Sequence, residues 1–204
     1  MITVIDYGMG NLESVANMLK KIGVPARVSS CPADLLTSSK IVLPGVGSFD
    51  HGIKKLEKSG FLPTLDEAVV RKEIPILGIC LGMQLLTEQS EEGTCSGLGW
   101  IKGRTIKFPG DSGFRVPHMG WNRVRLSRPT PLTDNLSDDR TRFYFVHSFY
   151  VACESVEDCI MTTKYGLDFT SAVQRKNVVG VQFHPEKSHR FGMQLLRNFC
   201  DWVP

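Results

Sequence analysis

Apolar residues along this chain fall in short, separated blocks, and the spacing inside each block distinguishes strands from helices. Ile2 to Ile5, Ile41-Val42-Leu43, Ile76 to Ile79 and Val178 to Phe183 are brief, largely apolar runs, the pattern of strands buried on both faces. Ala26 to Ser29 reads as a further short strand. Leu12, Val15, Ala16 and Leu19 recur at helical spacing up to Gly23, and Asp34-Leu35-Leu36 reads as a short helical piece. Asp50 to Lys58 and Leu62 to Arg71 read as helices parted by Ser59-Gly60. Phe191, Leu195 and Phe199 mark one face of a last helix.

Strands alternating with helices predict an α/β unit with a parallel sheet and right-handed crossovers. From Gly97 to Asp134 the character changes: glycine and proline become frequent, and Arg104 to Phe108 alternates as strands do. This predicts a mostly antiparallel insertion at the sheet edge rather than a separate domain. Arg142 to Val146 reads as another strand. The expectation is one domain over residues 1–204, with no internal repeat or linker.

Composition narrows the chemistry. A net charge of +3 with mixed signs gives nucleic-acid binding little support. No apolar run reaches membrane-span length, and Met1-Ile2-Thr3 reads as a strand rather than a signal-peptide start. The cysteines, at positions 31, 80, 95, 153, 159 and 200, are scattered and form no C-x-x-C. A reduced, cytoplasmic compartment is expected, and a zinc site is not.

The main chemical signal is Gly78-Ile79-Cys80-Leu81-Gly82, between an apolar strand and a predicted helix running on from Met83 through Glu88. This is the spacing of a nucleophile elbow with cysteine in the serine position. Flanking glycines permit strained dihedrals, a helix start behind the thiol favours its thiolate, and the Leu81 amide can face an oxyanion. An arbitrary cysteine is more often simply buried. A base is therefore needed, and His184-Pro185-Glu186 supplies one after the Val178 to Phe183 strand. The proline predicts an extended backbone on which His184 and Glu186 point the same way, so the carboxylate fixes the imidazole. His147 is a rival base without a carboxylate two residues on.

Other features read more blandly. Gly8-Met9-Gly10 lacks the third glycine of a dinucleotide fingerprint and reads as a tight turn. Pro44-Gly45-Val46-Gly47-Ser48, after a parallel strand, can offer backbone N–H groups to an anion. Gln89 to Gly93 reads as a solvated helix end, and Trp121 as core or partner surface.

With these motifs in place, the chain resembles the class I (triad) glutamine amidotransferases over essentially its whole length. Asp6 to Asn11, Pro44 to Gly47, Pro117-His118-Met119-Gly120-Trp121-Asn122 and His184 to Ser188 narrow the resemblance to glutaminase subunits of imidazole glycerol phosphate synthase. The resemblance implies a flavodoxin-like open sheet, mostly parallel, with helices on both faces. It implies a Cys80–His184–Glu186 triad with oxyanion amides near Val46 or Gly47 and at Leu81. Gly47, Gln84, Glu92, Ser148 and Phe149 would contact L-glutamine. Asn11, Tyr144 and Lys187 would lie at the partner interface or the ammonia route, toward a HisF-like (β/α)8-barrel synthase subunit in a heterodimer. No metal or organic cofactor is implied. Two alternatives share the motifs: a paralogue feeding ammonia to an amidine-forming sugar enzyme of surface-polysaccharide synthesis, and a non-catalytic regulatory subunit.

Overall fold

The computed structural model describes residues 1–110 and 113–204. Asp111 and Ser112, inside the expected insertion, lie outside the described residues. The strands are β1 Ile2–Ile5, β2 Ala26–Ser29, β3 Lys40–Gly45, β4 Ile76–Cys80, β5 Gln89–Ser90, β6 Gly103–Lys107 and β7 His118–Arg123. They continue with β8 Arg125–Leu126, β9 Arg142–His147, β10 Phe149–Cys153, β11 Cys159–Tyr165, β12 Leu167–Arg175 and β13 Val178–Val181. The α-helices are α1 Leu12–Lys21, α2 Phe49–Lys58, α3 Phe61–Leu65, α4 Leu81–Leu85 and α5 His189–Asp201.

The main sheet runs β2-β1-β3-β4-β13-β12-β10-β6-β5, with β11 and β8 branching from β12. From β2 to β13 all neighbours are parallel; β12 pairs antiparallel with β13 and opens the antiparallel part. The chain is thus an α/β fold with a mixed, mostly parallel central sheet. Alternation along the central strands feeds two cores. Val4, Val42, Leu77, Ile79 and Val181 pack with Val15 and Leu19 of α1 and Leu195 and Phe199 of α5. Ile5, Ile41, Leu43 and Ile76 pack with Phe49 and Leu56 of α2, Phe61 of α3 and Met83 and Leu85 of α4. Residues two apart share a face and helix residues three to four apart share a stripe, so this is the layering that the periodicities require.

Two local expectations need correcting. The helix after the elbow ends at Leu85 instead of continuing through Glu88. Its carbonyls are taken by a following loop: Leu98 N–H donates to Leu85, and those of Trp100 and Ile101 to Leu86. A Cβ on Gly97 would stand 2.0 Å from the Thr87 carbonyl oxygen, so this loop lies hard against the helix end. Tertiary contacts override the helix propensity of the run. Likewise Gln89–Ser90 is not a solvated helix end but strand β5, parallel to β6.

Candidate functional site

Strand register assembles the site. Cys80, the last residue of β4, pairs with Gly45 at the end of β3, and Ile79 pairs with Val181 of β13. The loop from Val46 and the segment carrying His184 therefore leave the sheet beside Cys80, at the carboxyl ends where α/β sheets bind ligands.

Cys80 sits at φ 56°, ψ −110°, a conformation that costs an L-residue on the order of 1–3 kcal/mol. The flanking glycines are demanded by backbone crowding. A Cβ on Gly82 would lie 1.9 Å from the Leu43 carbonyl oxygen, and one on Gly78 would lie 2.6 Å from that of Gly82. The start of α4 is thus pressed against β3, which holds the turn sharp.

His184 is extended (φ −100°, ψ 96°), but Pro185–Lys187 is a 3₁₀ turn. The expected extended H-x-E pairing is therefore incorrect in its geometry. The pair is made by the turn folding the carboxylate back, with His184 Nδ1 donating to Glu186 Oε1 at 2.7 Å. Both side chains are only 2% exposed. His184 Nε2 is buried and has no hydrogen-bond partner. Burial pulls the His184 pKa down, but the neighbouring Cys80 and the hydrogen-bonded carboxylate of Glu186 outweigh it and raise it to about 9.

The turn is anchored from behind. The buried Ser188 hydroxyl donates to the His184 carbonyl at 2.6 Å and accepts the Tyr144 N–H at 3.0 Å. His184 N–H donates to the Tyr144 carbonyl at 2.9 Å. These bonds tie the turn to β9, whose Val146 carbonyl lies 3.9 Å from Cys80 Sγ.

A cavity of about 350 Å³ opens over this arrangement, lined by Val46, Gly47, Cys80, Leu81, Gln84 and Glu92. His184, Val146, His147, Ser148 and Phe149 also line it. The cavity thus gathers Cys80, His184 and all the residues singled out for the oxyanion and the substrate, with Glu186 hydrogen-bonded behind His184. Gly47 sits at φ 102°, a conformation favouring glycine. Glu92 Oε2 accepts the Phe49 N–H at 2.8 Å, where α2 begins just beyond the Gly47 loop. Asp50 on α2 returns the bond, accepting the Thr94 N–H at 3.0 Å and that of Cys95 at 2.9 Å. Those backbone bonds hold the Asp50 carboxyl below the usual carboxylate range.

Asn11, Tyr144 and Lys187 do not line the cavity. Lys187 is exposed, with Nζ 5.7 Å from the centre of the Tyr144 ring. Asn11 is exposed at the start of α1, which packs on the Pro185–Lys187 turn. Trp121 is 44% exposed and stacks on His189 at 5.5 Å, so it belongs to the surface rather than the core. The rival base His147 has both ring nitrogens engaged, Nδ1 with the Phe149 carbonyl at 2.7 Å and Nε2 with His118 at 2.9 Å. Neither is free to take a proton from Cys80.

Sequence reasoning passed over three neighbours of the site. Gln182 is fully buried, its Nε2 3.9 Å from Cys80 Sγ and its Oε1 accepting from Gln84 at 3.1 Å. A glutamine inside an apolar strand two residues before His184 was the available signal. Tyr7 donates to the Pro44 carbonyl at 2.9 Å beneath the Gly45–Gly47 loop; burial first, then Cys80, pushes its pKa up. Asp50 carried no signal, because its partners are backbone amides 44 and 45 residues away. Among the described residues no group of three or more His, Cys, Asp or Glu stands close enough to hold a metal ion, and no helix is long and apolar enough to cross a membrane.

Comparison with known proteins bears on this site. The family model for glutamine amidotransferase class-I matches residues 3–202. A Methanococcus maripaludis protein named imidazole glycerol phosphate synthase subunit HisH 2 is 52% identical over 199 residues, covering 98% of each chain. A Pseudomonas aeruginosa protein of the same name is 48% identical over 203 residues, covering 100% of each. Among solved structures, PurLQS from Thermotoga maritima superposes with a TM-score of 0.76 at 17% identity, over 100% of this chain and 98% of that one. The glutaminase domain of Trypanosoma brucei CTPS, solved with bound acivicin, gives 0.68 at 17% identity, over 99% and 95%. These two show the shared fold.

Proposed function

The chain belongs to the class-I glutamine amidotransferases, and from that premise we propose that it is the glutaminase subunit of an imidazole glycerol phosphate synthase. It hydrolyses L-glutamine and passes the ammonia to a HisF-like (β/α)8-barrel subunit. That partner forms imidazole glycerol phosphate and aminoimidazole carboxamide ribotide in the cytoplasm. The observation that carries this reading is the convergence of Cys80, the His184–Glu186 pair and Gly47 on one cavity.

In this mechanism Cys80 Sγ attacks the side-chain amide carbon of glutamine, with the thiol proton held by His184. Backbone amides near Val46 or Gly47 and at Leu81 stabilise the oxyanion. The C–N bond breaks as His184 gives its proton to the leaving nitrogen, leaving a thioester on Cys80 and free ammonia. Water, deprotonated by His184, then attacks the thioester, releasing glutamate and restoring the thiol. Glu186 holds the imidazole orientation and stabilises the imidazolium. Gln84, Glu92 and the Ser148-Phe149 backbone bind the substrate ends, and a carboxylate at Glu92 suits the α-ammonium. The barrel docks over the carboxyl edge of the sheet, meeting Asn11 and Lys187, with Tyr144 beside the ammonia route, so ammonia is shielded from bulk water.

The test is co-purification with the barrel partner and assay of both nitrogen sources. Cys80→Ser is expected to abolish glutamine-dependent synthesis of imidazole glycerol phosphate while leaving ammonia-dependent synthesis intact. Near-normal glutamine turnover by Cys80→Ser would overturn the triad. Amination of a sugar acceptor instead of the imidazole precursor would overturn the pathway.

A further inference from the structure

Two histidines that the mechanism does not use form a hydrogen-bonded chain that begins at the wall of the glutamine cavity, which His147 helps to line. Phe149 carbonyl oxygen accepts from His147 Nδ1 at 2.7 Å. His147 Nε2 and His118 Nδ1 are 2.9 Å apart, and Asn122 Nδ2 stands 3.2 Å from His118 Nε2. The far end is fixed by the backbone. Asn122 Oδ1 accepts the Arg123 N–H at 2.8 Å, and Asn122 Nδ2 also donates to the Lys164 carbonyl at 3.0 Å. Both rings are buried, and His118 is sandwiched between Phe145 and Tyr165 at 4.7 and 3.9 Å.

The proton positions follow from the two ends. The Phe149 carbonyl can only accept, and the Asn122 amide nitrogen can only donate. Two neutral rings between them satisfy every contact in one way, with hydrogen on Nδ1 of each and a lone pair on Nε2 of each. An extra proton on either ring would set N–H against N–H. Burial already holds both neutral, with pKa values lowered to about 4 for His118 and about 3 for His147.

We propose that His118 and His147 are positioning residues for glutamine binding: a proton-ordered chain from Asn122 that pins the Ser148-Phe149 wall of the cavity. The Phe149 carbonyl then receives two donors, His147 and Gln84 Nε2 at 3.2 Å, which fixes the wall against Gln84. The chain ends on β7, the strand that exposes Met119 and Trp121, so wall and outer surface are joined by directional bonds. This rests on the glutaminase reading for its kinetic part only.

The experiment has two arms. Long-range ¹H–¹⁵N spectra of the labelled chain are expected to show both rings with hydrogen on Nδ1, against the Nε2–H form that free histidine prefers. That arm is independent of activity. In the second arm, Asn122→Asp replaces the donor with an acceptor of the same shape, whereas Asn122→Ala leaves the ring unopposed. In the complex with its barrel partner, Asn122→Asp is expected to raise KM for glutamine roughly tenfold, more than Asn122→Ala does, with ammonia-dependent turnover unchanged. A merely structural role predicts the reverse order, because the isosteric aspartate keeps the packing. Rings carrying hydrogen on Nε2, an unchanged KM in Asn122→Asp, or a larger effect in Asn122→Ala would each overturn the proposal. A wild-type complex that does not hydrolyse glutamine would instead defeat the glutaminase reading, leaving the proton order to be decided by the spectra.

Discussion

Replacing Glu186 by glutamine keeps the shape of a buried side chain and removes its charge. The rise of the His184 pKa from 6.5 to about 9 corresponds to roughly 3 kcal/mol in favour of the imidazolium. Cys80 and Glu186 together produce that rise against the opposing effect of burial. Losing the carboxylate removes the support that Glu186 gives and should lower the His184 pKa, by on the order of one pH unit or roughly 1 kcal/mol. Glu186 Oε2 is buried without a partner, so an NH₂ placed there needs an acceptor that the carboxylate did not, and one left unpaired would add a destabilisation on the order of 1–3 kcal/mol. The sign of the pH dependence follows. A histidine with a raised folded-state pKa contributes stability fully below 6.5, and that stability is lost as pH climbs through about 9. Wild-type stability should thus fall between those limits, and the fall should be clearly smaller in Glu186→Gln. The assays are an NMR titration of the His184 ring, denaturant unfolding at pH 6.5 and pH 9.5, and kcat/KM for glutamine in the complex. We expect a lower titration midpoint and a loss of about tenfold or more in kcat/KM. A midpoint and pH–stability slope unchanged in Glu186→Gln would show that the carboxylate does not hold the imidazolium.

Three further outcomes are expected. Gly82→Ala drives a Cβ to 1.9 Å from the Leu43 carbonyl and should lower unfolding free energy by about 3 kcal/mol or more, read by chemical denaturation. Asp50→Asn weakens the bonds to the Thr94 and Cys95 amides that set the Glu92 loop, and should raise KM for glutamine several-fold with little change in ammonia-dependent rate. His118 and His147, held neutral in the fold, should make stability fall as pH drops from 6.5 toward 4, because the unfolded chain binds the protons that the folded one refuses. Urea midpoints at pH 7, 6, 5 and 4 measure that slope, which His118→Gln should flatten.

The central sheet and its layers were legible because the information is local: Ile76 to Ile79 and Val178 to Val181 are short apolar runs, and the helix stripes carry their own period. The elbow was legible because glycines at two fixed offsets have a steric reason visible at short range. The carboxylate partner of His184 was found through a correct residue pair and an incorrect backbone, since Pro185 also opens a 3₁₀ turn and the chain chose that option. What stayed hidden depends on contacts distant in sequence. The end of α4 is set by residues 97–101, the bond from Gln84 to Gln182 spans 98 residues, and Asp50 meets amides 44 and 45 positions away. Pairing of β4 with β13 brings Gln84 toward Gln182, and no single segment encodes register between strands separated by helices.

In the proposed mechanism Cys80 is the nucleophile of a glutaminase site completed by His184. It is tested by covalent labelling of the chain, in complex with the proposed barrel partner, by a glutamine analogue carrying an electrophilic carbon in place of the side-chain amide, followed by peptide mass spectrometry. One adduct is expected, on the peptide carrying Cys80, formed in step with loss of glutamate production. That adduct should be blocked by excess glutamine, slowed strongly in His184→Ala and absent in Cys80→Ser. An adduct on another cysteine, or labelling of Cys80 that glutamine does not protect while hydrolysis continues, would contradict it.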